Sequence, residues 1–428
     1  MTTDNNNMMV PKLRFKEFKG EWKNKKIDNI AELTSSKRVY LSDYVSEGIP
    51  FYRGKEISEL KKNIIPNDIL YITESSYFEF KEKYGVPQRN DILITAVGTL
   101  GNVLRIQNDD KFYFKDGNLI WFKEITESPE FFEIMLEVKK TDIEKTSIGS
   151  TQRALTMVEL RKLIFAFPTL PEQQKIASFL SAVDEKIQQL SHKKELLEQY
   201  KKGVMQQLFS GTLRFKDVKG KAFPKWEEKL YGDIFSFYST NSFSRDKLNY
   251  ESGNVKNIHY GDIHTKFSTL FDIKKEFVPF INDDVDILKI KEENYCQEGD
   301  LVIADASEDY ADIGKSIELV NLSNEKIVAG LHTFLARPNK VKMHTGFSGY
   351  LVKATYVRKQ IITIAQGTKV LSLSTGRLSE VKLNIPCLKE QQKIANYLSN
   401  IDTKIESVNK QIAQSQSFKK GLLQQLFV

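Results

Sequence analysis

The stretch LPEQQKIASFL, Leu170 to Leu180, returns 218 residues later as LKEQQKIANYL, Leu388 to Leu398. Aligned without gaps at that offset, Glu172 to Phe209 matches Glu390 to Phe427 at 18 of 38 positions, including EQQKIA, KKG and QQLF. The match carries back through Pro168/Pro386 and Leu155/Leu373 to Gly149/Gly367. A second pair of flanks lies upstream: LRFKEFKG from Leu13 and LRFKDVKG from Leu213, followed by Trp22 and Trp226. The chain therefore reads as two units in tandem, and an internal repeat of this size decides the architecture before any single element does.

Between the flanks the two interiors diverge. Only RGKEI (Arg53 to Ile57) against HYGDI (His259 to Ile263) and NDILIT (Asn90 to Thr95) against GDLVIA (Gly299 to Ala304) survive as echoes. Alternation in YRGKEI and the short apolar runs ILIT and LVIA predict strands bounded by turns. Each interior is expected to be a mixed α/β globule on a shared scaffold.

After each EQQ the helical pattern runs on with no breaker before Gly203 or its counterpart Gly421. Pro168 and Pro171 precede the first helix, and Glu172 places an acid in the first turn, where it complements the helix dipole. Lys389 and Cys387 replace Pro171 and Thr169 in the second copy, so its start carries a weaker stop signal. Steps of four and three pick out Ile176, Leu180, Val183, Ile187, Leu190, Lys194, Leu197, Lys201, Val204 and Leu208 in the first helix. In the second they pick out Ile394, Leu398, Ile401, Ile405, Val408, Ile412, Ser415, Lys419, Leu422 and Leu426. That is a coiled-coil seam, apolar at eight of ten steps in both copies. A helix of 38 residues is about 57 Å long at ~1.5 Å per residue, too long for one small globule to cover, so each needs a partner helix. A pseudo-two-fold relation would make the pair antiparallel. Lys201 and Lys419 interrupt the seam at the same step and are expected either to snorkel to solvent or to meet an acid of the opposite helix.

Bulk composition is permissive. The chain of 428 residues exceeds one ordinary core, and 63 basic against 56 acidic side chains allow a polyanionic partner without requiring one. Two separated cysteines, Cys296 and Cys387, suggest neither a disulfide framework nor a zinc cluster. No apolar run is long enough to span a bilayer, and MTTDNNNMMV lacks the apolar region of a signal peptide, so a cytoplasmic protein is expected. Catalytic motifs are missing. ADIGKS (Ala311 to Ser316) has Asp309 where a phosphate-binding loop needs glycine, and GTLG (Gly98 to Gly101) is a turn, not a dinucleotide fingerprint. Asp68 with Glu79 and Lys81 is a spacing that surface helices produce by themselves. His259 and His264 stand without a cysteine pair or H-E-x-x-H, so no metal site is expected.

The doubled EQQKIA helix, the KKG…QQLF ending, the LRF…W openings, and interiors marked RGKEI and NDILI together resemble the specificity (S) subunit of type I restriction-modification systems. The resemblance covers essentially the whole chain. It implies an α+β fold: two globular mixed α/β target recognition domains separated by two long helices packed as an antiparallel coiled coil, in a pseudo-two-fold tandem repeat. It implies a non-catalytic chain that reads a bipartite DNA site for host defence, each domain taking one half. Partners would be double-stranded DNA, two methylation subunits that bind S-adenosylmethionine and methylate adenine, and restriction subunits that use ATP and Mg for translocation and cleavage. No cofactor is expected in this chain. The alternative is a stand-alone sequence-specific DNA-binding regulator that self-associates through its coiled coil.

The expected division is a flexible N-terminus at 1–10, recognition domain 1 at 11–167, a central helix at 168–210, recognition domain 2 at 211–385 and a C-terminal helix at 386–428. Half-sites one helical turn apart on DNA are separated by about 34–36 Å, a distance that a rigid helical spacer can hold. Base and phosphate contacts call for Arg, Lys, Asn, Gln, Ser or Thr on loops. Candidates in the first domain are Arg53, Lys55, Thr99, Asn102, Ser150, Thr151, Gln152 and Arg153. Those in the second are His259, Tyr260, Lys315, His332, Gln366, Thr368 and Lys369. GSTQR and QGTK stand at equivalent places, which makes them the favoured readers, and unlike interiors predict unequal half-sites.

Overall fold

The computed structural model describes residues 9–62 and 64–428. Most of the 1–10 lead-in lies outside the described residues, but Met9 packs against a core and its carbonyl accepts from the Trp22 amide at 2.8 Å. The chain forms two compact units, one running to Leu190 and joined by Gln411–Val428, the other Ser191–Lys410. Each unit thus contains one globule and part of both long helices.

Those helices are Leu170–Phe209 and Leu388–Leu426. They start at equivalent leucines, so the missing proline of the second copy does not shift its start. Within the first unit Ile176, Leu180, Leu422 and Leu426 share one core, and Lys419 pairs with Asp184 at 2.6 Å. Within the second, Val204 and Leu208 share a core with Ile394, Leu398 and Ile401, and Lys201 pairs with Asp402. Rising numbers on one helix meet falling numbers on the other, so the packing is antiparallel in both. Leu190 and Val408 are also buried, while Val183, Ile187, Leu197, Ile405 and Ile412 are half-buried between exposed neighbours. The seam lysines take the second of the two outcomes open to them: each meets an aspartate of the opposite helix.

The repeated motifs close one knot per unit. Glu172 is fully buried and accepts from Arg14 Nε and Nη2, at 2.8 and 2.7 Å, and from Trp22 Nε1 at 3.4 Å. Glu390 does the same with Arg214 (3.1 and 2.6 Å) and Trp226 (3.0 Å). The neighbouring glutamines, Gln173 and Gln391, are buried as well; their side-chain oxygens accept from the Ser128 and His344 amides. Phe427 packs edge-on against Trp22, and Phe209 against Trp226. The acid of EQQ is therefore more than a dipole complement, because it ties helix, opening flank and globule together.

The globules share two sheets. In the first, Glu32–Thr34, Leu119–Lys123, Ile92–Thr95 and Val103–Arg105 form an antiparallel sheet in that order. The second repeats it as Phe235–Tyr238, Thr333–Pro338, Leu301–Ala304 and Ser316–Asn321, and adds Leu270–Asp272 as a parallel edge. The runs ILIT and LVIA are the fully buried strands of these sheets. A second four-stranded sheet also recurs, Tyr44–Val45, Leu70–Ile72, Ile49–Tyr52 and Tyr113–Phe114 answering to Leu248–Asn249, Phe280–Ile281, Lys256–Ile258 and Ile327–Ala329. The RGKEI and HYGDI echoes correct the strand expectation: the strand ends before them, and they open short helices, Gly54–Leu60 and Tyr260–Thr265. Their alternation misleads because the polar third helical residue, Glu56 or Asp262, is itself buried.

Candidate nucleic-acid interface

A buried carboxylate needs a paired donor, and the acid of each short helix has one. Arg53, the residue before the first helix, places Nη2 2.6 Å from Glu56 and also reaches the Asp68 carbonyl. In the second unit Arg245 grips Asp262 through Nη1 and Nη2, at 2.8 and 3.1 Å, and Lys266 adds a bond at 2.8 Å. Burial opposes ionisation of both acids, yet the hydrogen bonds from Arg53 and from Arg245 and Lys266 prevail and hold both below the usual carboxylate range. Arg53 is thus committed to the fold. His259 is too: it is buried, caps the second short helix by accepting from the Gly261 amide, and is pushed toward its neutral form by burial and by Arg245.

The remaining candidates gather around the end of the central strand of each globule. In the first unit Lys55 is exposed near Asp68, and the turn bearing exposed Thr99 leads into Asn102, which bonds Ser58 and Lys140. Ala154 bridges both Val97 and Ile148, closing a tight hairpin whose tip is Ser150, Thr151, Gln152 and Arg153, all exposed. In the second unit the ring of Tyr260 lies 5.5 Å from that of His332, and exposed His332 sits 3.4 Å from Asp305. Lys315 donates to the His264 carbonyl at 2.6 Å. A matching hairpin, closed by Gln366 and Ser372, pairs with Ala306–Ser307 and exposes Gln366, Thr368 and Lys369.

The two hairpins share one backbone solution. Gly149 has φ +103° and Gly367 has φ +127°, and an added Cβ would lie 2.4 Å from the Gln152 oxygen or 2.0 Å from the Val370 oxygen. Only glycine fits there. The backbone bonds around them also correspond: Leu155 N to Ala96 O and Leu373 N to Asp305 O, Thr95 N to Asn102 O and Ala304 N to Lys315 O. Asn102 and Lys315 therefore hold one structural position with different chemistry. Sequence reasoning missed Arg245 and Asp305. The acid shared by RGKEI and HYGDI was the available signal for the first, and nothing local marks the second.

Among the described residues no cluster of three or more His, Cys, Asp or Glu could hold a metal, and no helix is long and apolar enough to cross a membrane. What each face offers is an exposed loop set on a rigid sheet, with amide, hydroxyl, imidazole and cationic groups suited to base edges and phosphates.

Residues 19–199 and 224–415 each match the family model described as the type I restriction modification DNA specificity domain. The chain belongs to this family. It carries two specificity domains in tandem, and its function is that of the specificity subunit of a type I restriction-modification system. The MjaVIII type I restriction enzyme specificity subunit of Methanocaldococcus jannaschii is 27% identical over 398 residues, covering 90% of this chain and 84% of that protein. The crystal structure of the S subunit from M. genitalium superposes with a TM-score of 0.58 at 16% identity, over 98% of this chain and 99% of that one. A chain from a study of the complex assembly and conformational transition of the type I R-M system gives a TM-score of 0.55 at 14% identity, covering 95% and 96%.

Proposed function

We propose that each specificity domain reads one half of an asymmetric bipartite DNA site through the turn and hairpin at the end of its central strand. One observation carries this reading: two equivalent scaffolds expose unlike side chains at equivalent positions. GSTQ (Gly149 to Gln152) stands where the other unit has GTKV (Gly367 to Val370). Rigid sheets with variable loop tips suit direct readout, because a base edge is told apart by the donors and acceptors that face it.

The chain contributes recognition and no chemistry. Two methylation subunits binding S-adenosylmethionine would methylate adenine at the site it selects, and restriction subunits would supply ATP-driven, Mg-dependent cleavage in the cytoplasm. The test is reconstitution. The purified chain incubated with DNA and labelled S-adenosylmethionine is expected to transfer no methyl group until a methylation subunit is added. Transfer by the chain alone would overturn the reading.

A further inference from the structure

A cleft of about 300 Å³ in the second unit lies between the turn Ala311–Ser316 and the start of the helix Thr355–Ile364, and three cations border it: Lys315, Lys353 and Arg358. Their compensation is incomplete. Lys315 has Asp312 at 3.4 Å, and Lys353 donates to the neutral Thr269 hydroxyl at 2.6 Å. Arg358 gives Nη2 to the Ala311 carbonyl at 3.1 Å, while its buried Nη1 finds no hydrogen-bond partner among the described residues. A buried, unpaired guanidinium nitrogen is a standing cost that asks for a ligand. Burial first, and Lys201 and Lys315 after it, bring the Lys353 amine down to about 8; burial also lowers Arg358, against the pull of Asp312.

The first unit has a counterpart. Lys140 stands 218 residues before Arg358. It lies against Gly101, whose added Cβ would be 3.3 Å from Lys140 Cγ, as Arg358 Nη1 lies 3.5 Å from a Cβ on Gly314. Both glycines are left-handed, with φ +71° and +67°, and both precede the strand that follows Asn102 or Lys315. A basic side chain laid on the same glycine turn, once per recognition domain, points to a ligand that both domains meet.

We propose that this cleft is a phosphate-binding site that takes a backbone phosphodiester of the DNA, with Lys315, Lys353 and Arg358 as its cations in the second domain and Lys140 marking the same site in the first. The inference rests on the DNA-reading function above and adds a contact that positions the duplex without reading sequence. Phosphate neutralisation of this kind sets affinity and its salt dependence, whereas base contacts set the motif.

The experiment is DNA binding by the chain assembled with its methylation subunits, measured against salt on cognate and non-cognate duplexes. Arg358→Met and Lys353→Met are each expected to weaken both duplexes roughly ten-fold and to reduce the log–log salt slope by about one, with the methylated motif unchanged. Asp312→Asn, which removes the counter-charge, should tighten both. Thermal melting of the same variants in inorganic phosphate separates the ligand sources. Protection of wild type but not of Arg358→Met, with DNA affinity unmoved, would assign the site to free phosphate and overturn the DNA assignment. Unchanged slopes, affinities and phosphate response in all three variants would overturn the site itself. Failure of the wild-type complex to bind its motif would instead overturn the function on which the inference rests.

Discussion

Asp184 and Asp402 are the same residue of the repeat, each paired with the same seam lysine, yet their replacement should differ several-fold in cost. Asp402 Oδ1 accepts from Lys201 and Oδ2 accepts from the Tyr350 hydroxyl at 2.7 Å. Tyr350 is fully buried, and Lys201 retains only 19% of its side-chain exposure and lies over the Tyr350 ring. Asp402→Ala strands a buried phenol, worth about 1–3 kcal/mol, and leaves a largely covered ammonium without its partner, for a total of roughly 2–4 kcal/mol. Asp184 is 53% exposed and its hydrogen bond is to Lys419. Water replaces that partner readily, so Asp184→Ala should cost about 0.2–1 kcal/mol. Urea denaturation of the two variants, followed by tryptophan fluorescence with m-values compared, measures the difference. Equal losses, or the larger loss at Asp184, would refute the reasoning.

Other outcomes follow from the same geometry. Glu172→Ala and Glu390→Ala should each destabilise by about 2–3 kcal/mol, because each removes the buried acceptor shared by a half-buried arginine and a tryptophan N–H, and unlike the aspartates they should cost alike; calorimetry checks both. Gly149→Ala and Gly367→Ala distort the hairpins and should each cut methyl transfer by the assembled complex at least ten-fold, about 1.4 kcal/mol, with duplexes altered in one half-site showing which half each glycine serves. Lys353→Met should stabilise the second unit near pH 7. The amine titrates near 8 in the fold against an ordinary 10.5, so the charged form carries its full penalty below pH 8 and the penalty disappears as pH rises toward 10.5. With the Thr269 bond lost, a gain of up to about 2 kcal/mol at pH 7 is expected, shrinking by pH 10 in denaturation curves.

The frame was legible because its signals are long and written twice. Two helices with a sustained seam, and glycines kept at Gly149 and Gly367, show in sequence alone. The seam lysines are legible to the level of two outcomes, and the choice of Asp402 and Asp184 depends on which turns of the two helices face each other. EQQ reads locally only as a helix start, since the partners of Glu172, Arg14 and Trp22, lie 158 and 150 residues away from it. The sheets of the interiors were the least legible part. Strands of two to six residues, several of them buried on both faces, carry little periodicity, so the shared topology survives with almost no shared sequence. Among the candidate readers, Arg53 and His259 looked like free polar groups because the buried acids that claim Arg53 and Arg245, and the cap that claims His259, belong to a helix start disguised as an alternating strand.

The central claim is that two unlike readers on one repeated frame each specify half of a DNA site. Replacing residues 11–167 with the corresponding globule of another family member, and mapping adenine methylation across a genome, tests it most directly. One half of the methylated motif is expected to change while the other half and the gap between them stay as before. A motif that changes in both halves, or in neither, would contradict the claim.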